Sequence, residues 1–226
     1  MVKILGISGS PRKASTDYVV HEALKAAEEI PGIETEFWGV RGKKINFCTH
    51  CDRCIREKTL CYIDDDVKIL IDKILEADGF IIGSPVYDMG ITAQLTAIIN
   101  RTRPFYMVRP GIMKNKVGGA ITIGGTRHGG QETALQIINN WYLMSEVLST
   151  GGLSGCYNGG TVWSQDKKAE GAKADVTGMD TVRGLGRGVA EAAMITSMGR
   201  KHWEVEKKRV GLITSDTIEG HDAFSS

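Results

Sequence analysis

The chain has 226 residues, 42% of them hydrophobic and 24% charged, which suits one globular domain with elaborations and enough apolar side chain to bury a core. Its net charge of +1 removes any bulk electrostatic case for a nucleic-acid partner or an anionic membrane surface. No apolar run approaches the roughly 18 residues of a membrane span, and the opening Met-Val-Lys-Ile-Leu-Gly lacks a signal-peptide h-region, so no membrane association and a cytoplasmic location are expected.

Val2 to Ile7 is apolar and rich in β-branched residues, as a buried parallel strand is. It runs into a Gly/Ser loop (Gly6 to Thr16), and a helix follows from about Thr16, with Val19, Val20, Ala23, Leu24 and Ala27 on one face. Pro31-Gly32 stops that helix, and Ile33 to Trp38 alternates as a second strand. The result is a βαβ unit whose loop lies at the carboxyl end of a strand, where open α/β sheets bind ligands. The loop matches neither G-x-G-x-x-G nor a Walker pattern. Its hydroxyls, Ser8, Ser10, Ser15 and Thr16, instead point to one terminal phosphate held at a helix N-terminus.

Residues 39–61 interrupt the α/β rhythm. Cys48, Cys51, Cys54 and Cys61, four of the five cysteines, fall in this stretch with spacing C-x2-C-x2-C-x6-C. Thiolates this close together suit an iron–sulfur cluster, with zinc as the alternative. Tetrahedral structural zinc normally uses two separated C-x2-C pairs, which disfavours it. Six bases (Arg41, Lys43, Lys44, Arg53, Arg56, Lys58) accompany the cysteines and read either as compensation for a negative cluster or as solvated loop charges. His50 is expected outside the ligand set.

Asp64 is the expected N-cap of a third-layer helix through Ile69, Leu70, Ile74 and Leu75. Asp78 to Ile82 predicts a third strand entering a second rim loop, Gly83 to Ile91, and Thr92 opens a helix that ends near Arg103-Pro104. Lys116 to Ile123 predicts a fourth strand, followed by a third rim loop (Gly124 to Gln131) and a helix from Glu132 to Leu148. Gly151 to Tyr157 gives a weaker fifth strand with Cys156 in the core. Residues 158–181, rich in Gly, Lys and Asp, read as a long loop, and the last helix runs from about Val182 to Met198. The tail from Gly199 shows no clear element, with Trp163, Trp203 and the stretch 210–213 as candidate oligomer contacts. Trp141, Tyr142 and Met144 are expected in the core or an interface.

Three loops thus converge on one edge of a five-stranded parallel sheet. The first suits a phosphate, and the second, apolar and aromatic, suits a flat ring. The third permits close backbone approach, with Arg127 available to a negative reduced ring. That combination is expected of FMN in a flavodoxin-type site, although each loop alone is also compatible with an ordinary rim turn.

Gly9-Ser10-Pro11-Arg12 with Ser15-Thr16 resembles the phosphate loop of NADPH-dependent FMN reductase relatives. Ser84-Pro85-Val86-Tyr87 with Ala93-Gln94-Leu95, and Gly124-Gly125-x-Arg127-x-Gly129-Gly130-Gln131-Glu132, are similar to the same superfamily. With the four cysteines added, the chain resembles the iron–sulfur flavoproteins over roughly residues 1–200. The resemblance implies a flavodoxin-like three-layer sandwich, here with a cysteine-rich insertion (39–63) after strand 2, whereas the 158–181 segment and the charged tail (201–226) depart from the family pattern. It implies one FMN and one [4Fe–4S] cluster per subunit, and a homodimer or homotetramer that brings the cluster of one subunit near the flavin of another. By the same resemblance Ser8, Ser10, Arg12, Ser15 and Thr16 hold the phosphate. Pro85, Val86, Tyr87, Asp88, Met89 and Gly90, with Gly124, Gly125, Arg127, Gly129 and Gly130, line the ring, and Cys48, Cys51, Cys54 and Cys61 hold the cluster. Reduced ferredoxin or a similar carrier is the expected donor, to an unidentified acceptor that includes dioxygen or peroxide. An NAD(P)H-dependent flavin or quinone reductase, a non-enzymatic carrier and a zinc-stabilised flavin protein are the alternatives. No proton-transferring side chain is required of the chain; Tyr87, Arg127 and His128 are candidates for tuning or substrate contact.

Overall fold

A computed structural model describes residues 1–152 and 155–212. Strand β1 (Val2–Ser8) leads into helix α1 (Ser15–Glu28), and the chain returns along β2 (Ile33–Gly39). The cysteine-rich stretch follows, with one short helical turn, α2 (Arg53–Arg56). Next come α3 (Asp66–Glu76), β3 (Gly79–Pro85), α4 (Ala93–Arg101), the one-turn α5 (Pro104–Met107), β4 (Val117–Gly124) and α6 (Gln131–Met144). Two short strands, β5 (Leu148–Ser149) and β6 (Gly160–Trp163), precede α7 (Lys168–Ala174) and the long α8 (Val176–Arg209).

Strand pairing is parallel in the order β2-β1-β3-β4, and β5 and β6 both pair with the outer edge of β4. Val117 aligns with Leu148, whereas Ile121 aligns with Gly160, so one strand position is filled by two pieces. With helices on both faces, this is the flavodoxin-like sandwich expected from the sequence. The expected fifth strand at 151–157 falls in the gap between the two pieces, with residues 153–154 outside the described residues. Gly152, Gly155 and Gly159 take positive φ (84°, 75° and 147°), a backbone that cannot continue a ladder.

The central strands are apolar throughout because both faces are covered. Ile4, Ile81, Ile121 and Ile123 face α1 and α8 through Val19, Val20, Leu24, Val182, Leu185 and Val189, joined by buried Cys156. Leu5, Ile7, Phe80, Ile82 and Ala120 face α3, α4 and α6 through Leu70, Ile74, Leu95, Ile98, Leu135, Ile138, Trp141 and Tyr142. Met144, by contrast, is exposed.

Two expectations are corrected. The N-cap of α3 is Asp65, not Asp64; its carboxylate accepts from the Val67 N–H at 3.1 Å. Residues 158–181 are not a loop but β6, α7 and the start of α8, which then continues to Arg209 through the region expected to lack structure. Each helical glycine costs about 1 kcal/mol relative to alanine, so Gly171 and Gly178 argue locally against a helix within 158–181. Tertiary packing overrides them: a Cβ at Gly171 would lie 1.7 Å from the Ser164 carbonyl oxygen and one at Gly178 2.7 Å from that of Thr161, so glycine is what lets α7 and α8 sit against the end of β6. Trp203 lies half-exposed on α8, and residue 213 onward lies outside the described residues.

The C-terminal end of α3 is closed by a side chain from β4's edge. Lys116 Nζ donates to the carbonyls of Ile74 (3.1 Å), Leu75 (2.6 Å) and Ala77 (2.6 Å), and burial pulls its pKa down to about 8. Lys116→Met is expected to destabilise the fold by about 1–3 kcal/mol at neutral pH, because it orphans buried carbonyls. Between about pH 8 and the ordinary lysine value of 10.5 the unfolded chain binds the extra proton, so wild type gains stability with rising pH and the gap to the variant widens. Denaturant melts of both proteins across that range check this.

Candidate functional site

The first loop is held by β3: Gly9 N–H donates to the Gly83 carbonyl at 2.7 Å. Ser8 is fully buried and donates to Asp17 at 2.5 Å, while Ser10 Oγ donates to the Arg12 carbonyl at 2.8 Å. Ser15 and Thr16, 7% and 2% exposed, have no hydrogen-bond partner for their hydroxyls among the described residues. Helix α1 starts behind Ala14, which supplies no side-chain cap, so its first N–H groups also face the loop. Arg12 projects into solvent beside them. Free hydroxyls on otherwise buried residues, an uncapped helix N-terminus and a nearby guanidinium together suit an anion.

The second loop is a tight corner. Val86 N–H donates to the Ile123 carbonyl at 2.9 Å, and Tyr87 and Gly90 exchange two backbone bonds (2.9 and 2.8 Å). Between them Asp88 (φ 47°) and Met89 (φ 68°) are left-handed, the two-residue hairpin geometry that usually takes Asn-Gly. Holding non-glycine residues there costs roughly 1–2 kcal/mol each, and Met89 is left projecting, 57% exposed. The first and second loops are joined by Thr92, whose hydroxyl donates to the Gly9 carbonyl at 2.7 Å and accepts from the Leu95 N–H to cap α4.

Gln131 organises the third loop: its Nε2 donates to the Thr126 carbonyl (2.5 Å) and its Oε1 accepts from the Gly129 N–H (2.8 Å). Gly130 has φ +98°, and a Cβ there would lie 2.8 Å from Met89 Cα, so the second and third loops abut. Trp163 at the end of β6 donates from Nε1 to the Gly125 carbonyl at 2.8 Å, and the Arg127 guanidinium lies 4.6 Å from its ring centroid. A cavity of about 840 Å³ opens beside this loop, bounded by Met89, Arg127, His128, Gln131 and Trp163. The three loops thus form one continuous rim. Thr92, Gln131 and Trp163 were not among the expected site residues. The N-cap position signals Thr92, whereas Trp163 was hidden in a segment read as a loop.

The cysteine stretch is pinned at its base. Asp65 accepts from Asn46 N–H (2.8 Å) and Nδ2 (3.0 Å), and pairs with Arg101 with both side chains fully buried. Arg101 Nε also donates to Cys61 Sγ at 3.0 Å. Cys48, Cys54 and Cys61 are half-buried and Cys51 is exposed. The Arg53 backbone N–H holds the Cys51 thiol below its ordinary pKa, whereas burial and then the neighbouring Cys61 push Cys54 up. Of the bases, Arg53 pairs with Glu57 (2.7 Å), Lys43 with Asp66 (3.5 Å), and Arg56 donates to the Cys51 carbonyl (2.9 Å). Three of the six bases therefore spend their charge on shaping the loop. His50 is exposed, 3.8 Å from Asp52. Among the described residues no three of His, Cys, Asp or Glu are gathered in a metal-binding arrangement. The donor chemistry of four thiols on one anchored loop nonetheless fits a thiophilic metal or cluster. A second cavity, of about 510 Å³, is bounded by Cys48, Arg103, Tyr106, Ile137 and Trp141. Ile137 is also the neighbour of Gly90, 3.6 Å from a Cβ built there, so one residue borders both the cysteine loop and the second rim loop.

Residues 2–154 match the model of the NADPH-dependent FMN reductase family. An iron–sulfur flavoprotein of Archaeoglobus fulgidus is 44% identical over 80% of this chain and 91% of its own. One from Methanocaldococcus jannaschii is 40% identical over 80% of this chain and 92% of its own. Among solved structures, a flavone reductase superposes with a TM-score of 0.62 at 25% identity, covering 85% of this chain; the chain spans 63% of that protein's length, less than two thirds of it. No helix among the described residues is long and apolar enough to cross a membrane. By the family model and by these relatives, the chain belongs to the NADPH-dependent FMN reductase family, in its iron–sulfur flavoprotein branch, and is an oxidoreductase of flavodoxin-like fold.

Proposed function

We propose that this protein binds FMN on the three-loop rim and a [4Fe–4S] cluster on Cys48, Cys51, Cys54 and Cys61, and passes electrons between them. The observation that carries the reading is the pairing of an anion-ready helix N-terminus with a separately anchored four-thiol loop on one sheet edge. FMN supplies one- or two-electron chemistry and the cluster one-electron chemistry. The chain's own residues do the rest. Ser15, Thr16, the α1 N-terminus and Arg12 hold the phosphate. The Ser8 and Ser10 hydroxyls, turned to Asp17 and the Arg12 carbonyl, shape the loop. Pro85 to Gly90 and Gly124 to Gly130 border the ring, with Met89 and Gly130 closing it between them. Ile137 shields the side facing the cysteine loop from water. Reduced ferredoxin, or a carrier of the same kind, is the proposed donor, and a homodimer or homotetramer the proposed assembly; the acceptor class includes dioxygen and peroxide.

Each hydrogen bond from a hydroxyl to a charged phosphate contributes about 1.5–3 kcal/mol. Ser15→Ala and Thr16→Val are therefore each expected to weaken FMN binding by roughly 10- to 100-fold, while riboflavin, which lacks the phosphate, binds unchanged. Flavin-fluorescence titrations of the apoprotein measure both. Equal losses for the two flavins would remove the phosphate assignment.

Anaerobically prepared protein is expected to carry iron and acid-labile sulfide beside flavin, with a broad absorbance shoulder under the flavin bands. Cys48→Ala should lose the iron and keep the flavin. Zinc in place of iron and sulfide would sink the cluster reading.

A second reading, an NAD(P)H-dependent flavin or quinone reductase, is favoured by the family match over residues 2–154. Stopped-flow mixing separates the two: rapid flavin bleaching by NAD(P)H alone supports the second reading, and bleaching only by reduced ferredoxin supports the first.

A further inference from the structure

Arg101 ends α4 and is 1% exposed, yet all five of its N–H donors are engaged. Nη1 donates to the Asn46 carbonyl (3.1 Å) and Asp65 Oδ2 (2.9 Å), and Nη2 to the Ile63 carbonyl (3.1 Å) and Asp65 Oδ1 (3.2 Å). The fifth, Nε–H, donates to Cys61 Sγ at 3.0 Å. The fork leaves Arg101 no freedom to turn elsewhere, so this last bond is imposed by the other four. Among the described residues no other charged side chain donates to a cysteine sulfur; Arg103, on the same side, is engaged with Asp52.

A cationic donor fixed on a ligand sulfur, away from water, stabilises the state in which that sulfur carries more electron density. For a cluster this is the reduced state, and hydrogen bonds to sulfur are among the determinants of cluster potential. The guanidinium keeps its proton throughout, so a cluster held by these cysteines would take one electron from its donor with no proton moved at Arg101.

We propose that Arg101 is a positioning residue that raises the reduction potential of the cluster through its bond to Cys61, coupling the electron port to the flavodoxin core. This rests on the reading that Cys61 ligates a cluster.

The test is a potentiometric titration, followed by electron paramagnetic resonance, of the anaerobic holoprotein, Arg101→Lys and Asp65→Asn. Lysine keeps a cation beside Asp65 but lacks the Nε–H. Asparagine removes the charge of Asp65 but keeps an amide oxygen as acceptor, and the Asn46 and Ile63 carbonyls still hold the guanidinium with its Nε–H toward Cys61. Arg101→Lys is expected to lower the cluster's reduction equilibrium constant about tenfold, or about 59 mV for one electron, and Asp65→Asn not to lower it. An unchanged potential in Arg101→Lys, or an equal fall in both variants, would overturn the proposal. Should a variant fail to fold, the wild type labelled with 15N-arginine decides. Its reduced cluster is expected to show nitrogen hyperfine coupling from an arginine, and absence of that coupling overturns the role of Arg101 alone. Wild type without iron and sulfide overturns the cluster reading beneath it.

Discussion

The buried pair of Arg101 and Asp65 is the constraint on which the cysteine loop depends. Two fully buried charges are tolerated only when matched and hydrogen-bonded throughout, and removing one partner of such a pair typically costs about 3–5 kcal/mol. Here the matching is complete for the guanidinium. Asp65 caps α3, receives both nitrogens of Asn46 and neutralises Arg101, so one carboxylate joins two helices and the start of the loop. A stretch with three left-handed non-glycine residues, His50, Asp52 and Lys58, has little regular structure of its own and takes its position from that anchor.

The rim obeys a different logic. Its three loops are not built around charge but around backbone groups exchanged between neighbours. Thr92 links the first loop to the second, the Gly130–Met89 approach links the second to the third, and Trp163 links the third to the sheet's outer edge. The strained Asp88-Met89 corner persists because these neighbours over-determine it, and strain of this kind tends to collect where ligands are held. The two regions meet at Ile137, which gives the molecule a shared apolar residue between the thiol-bearing loop and the second rim loop.

Several features were legible without coordinates. The four central strands, the Gly/Ser loop before α1 and the cysteine spacing are local signals, expressed in runs of fewer than twenty residues. The misreadings were also local in origin. The helix cap slipped from Asp65 to Asp64 because three consecutive aspartates offer equivalent caps, and only contact with Asn46 and Arg101 selects one. Residues 158–181 read as a loop because helix propensity penalises glycines such as Gly171 and Gly178, while the backbone that leaves room only for glycine there, at Ser164 and Thr161, belongs to β6 and its exit and lies outside both helices.

By itself the sequence determined the α/β order, the position of three ligand-ready loops and the presence of four thiols, since strand periodicity, turn chemistry and cysteine spacing are written within single elements. Only the tertiary structure decided which groups are spoken for: that Ser8 and Ser10 are committed within their loop while Ser15 and Thr16 are free, and that three of the six bases flanking the cysteines brace the loop. It also decided that a buried arginine reaches a cysteine sulfur. Arg101 and Cys61 are 40 residues apart on different elements, and nothing in either neighbourhood reports the other. Folding brings them together because the charge of Arg101 has to find Asp65, and the geometry of the guanidinium then leaves its last donor facing the thiol.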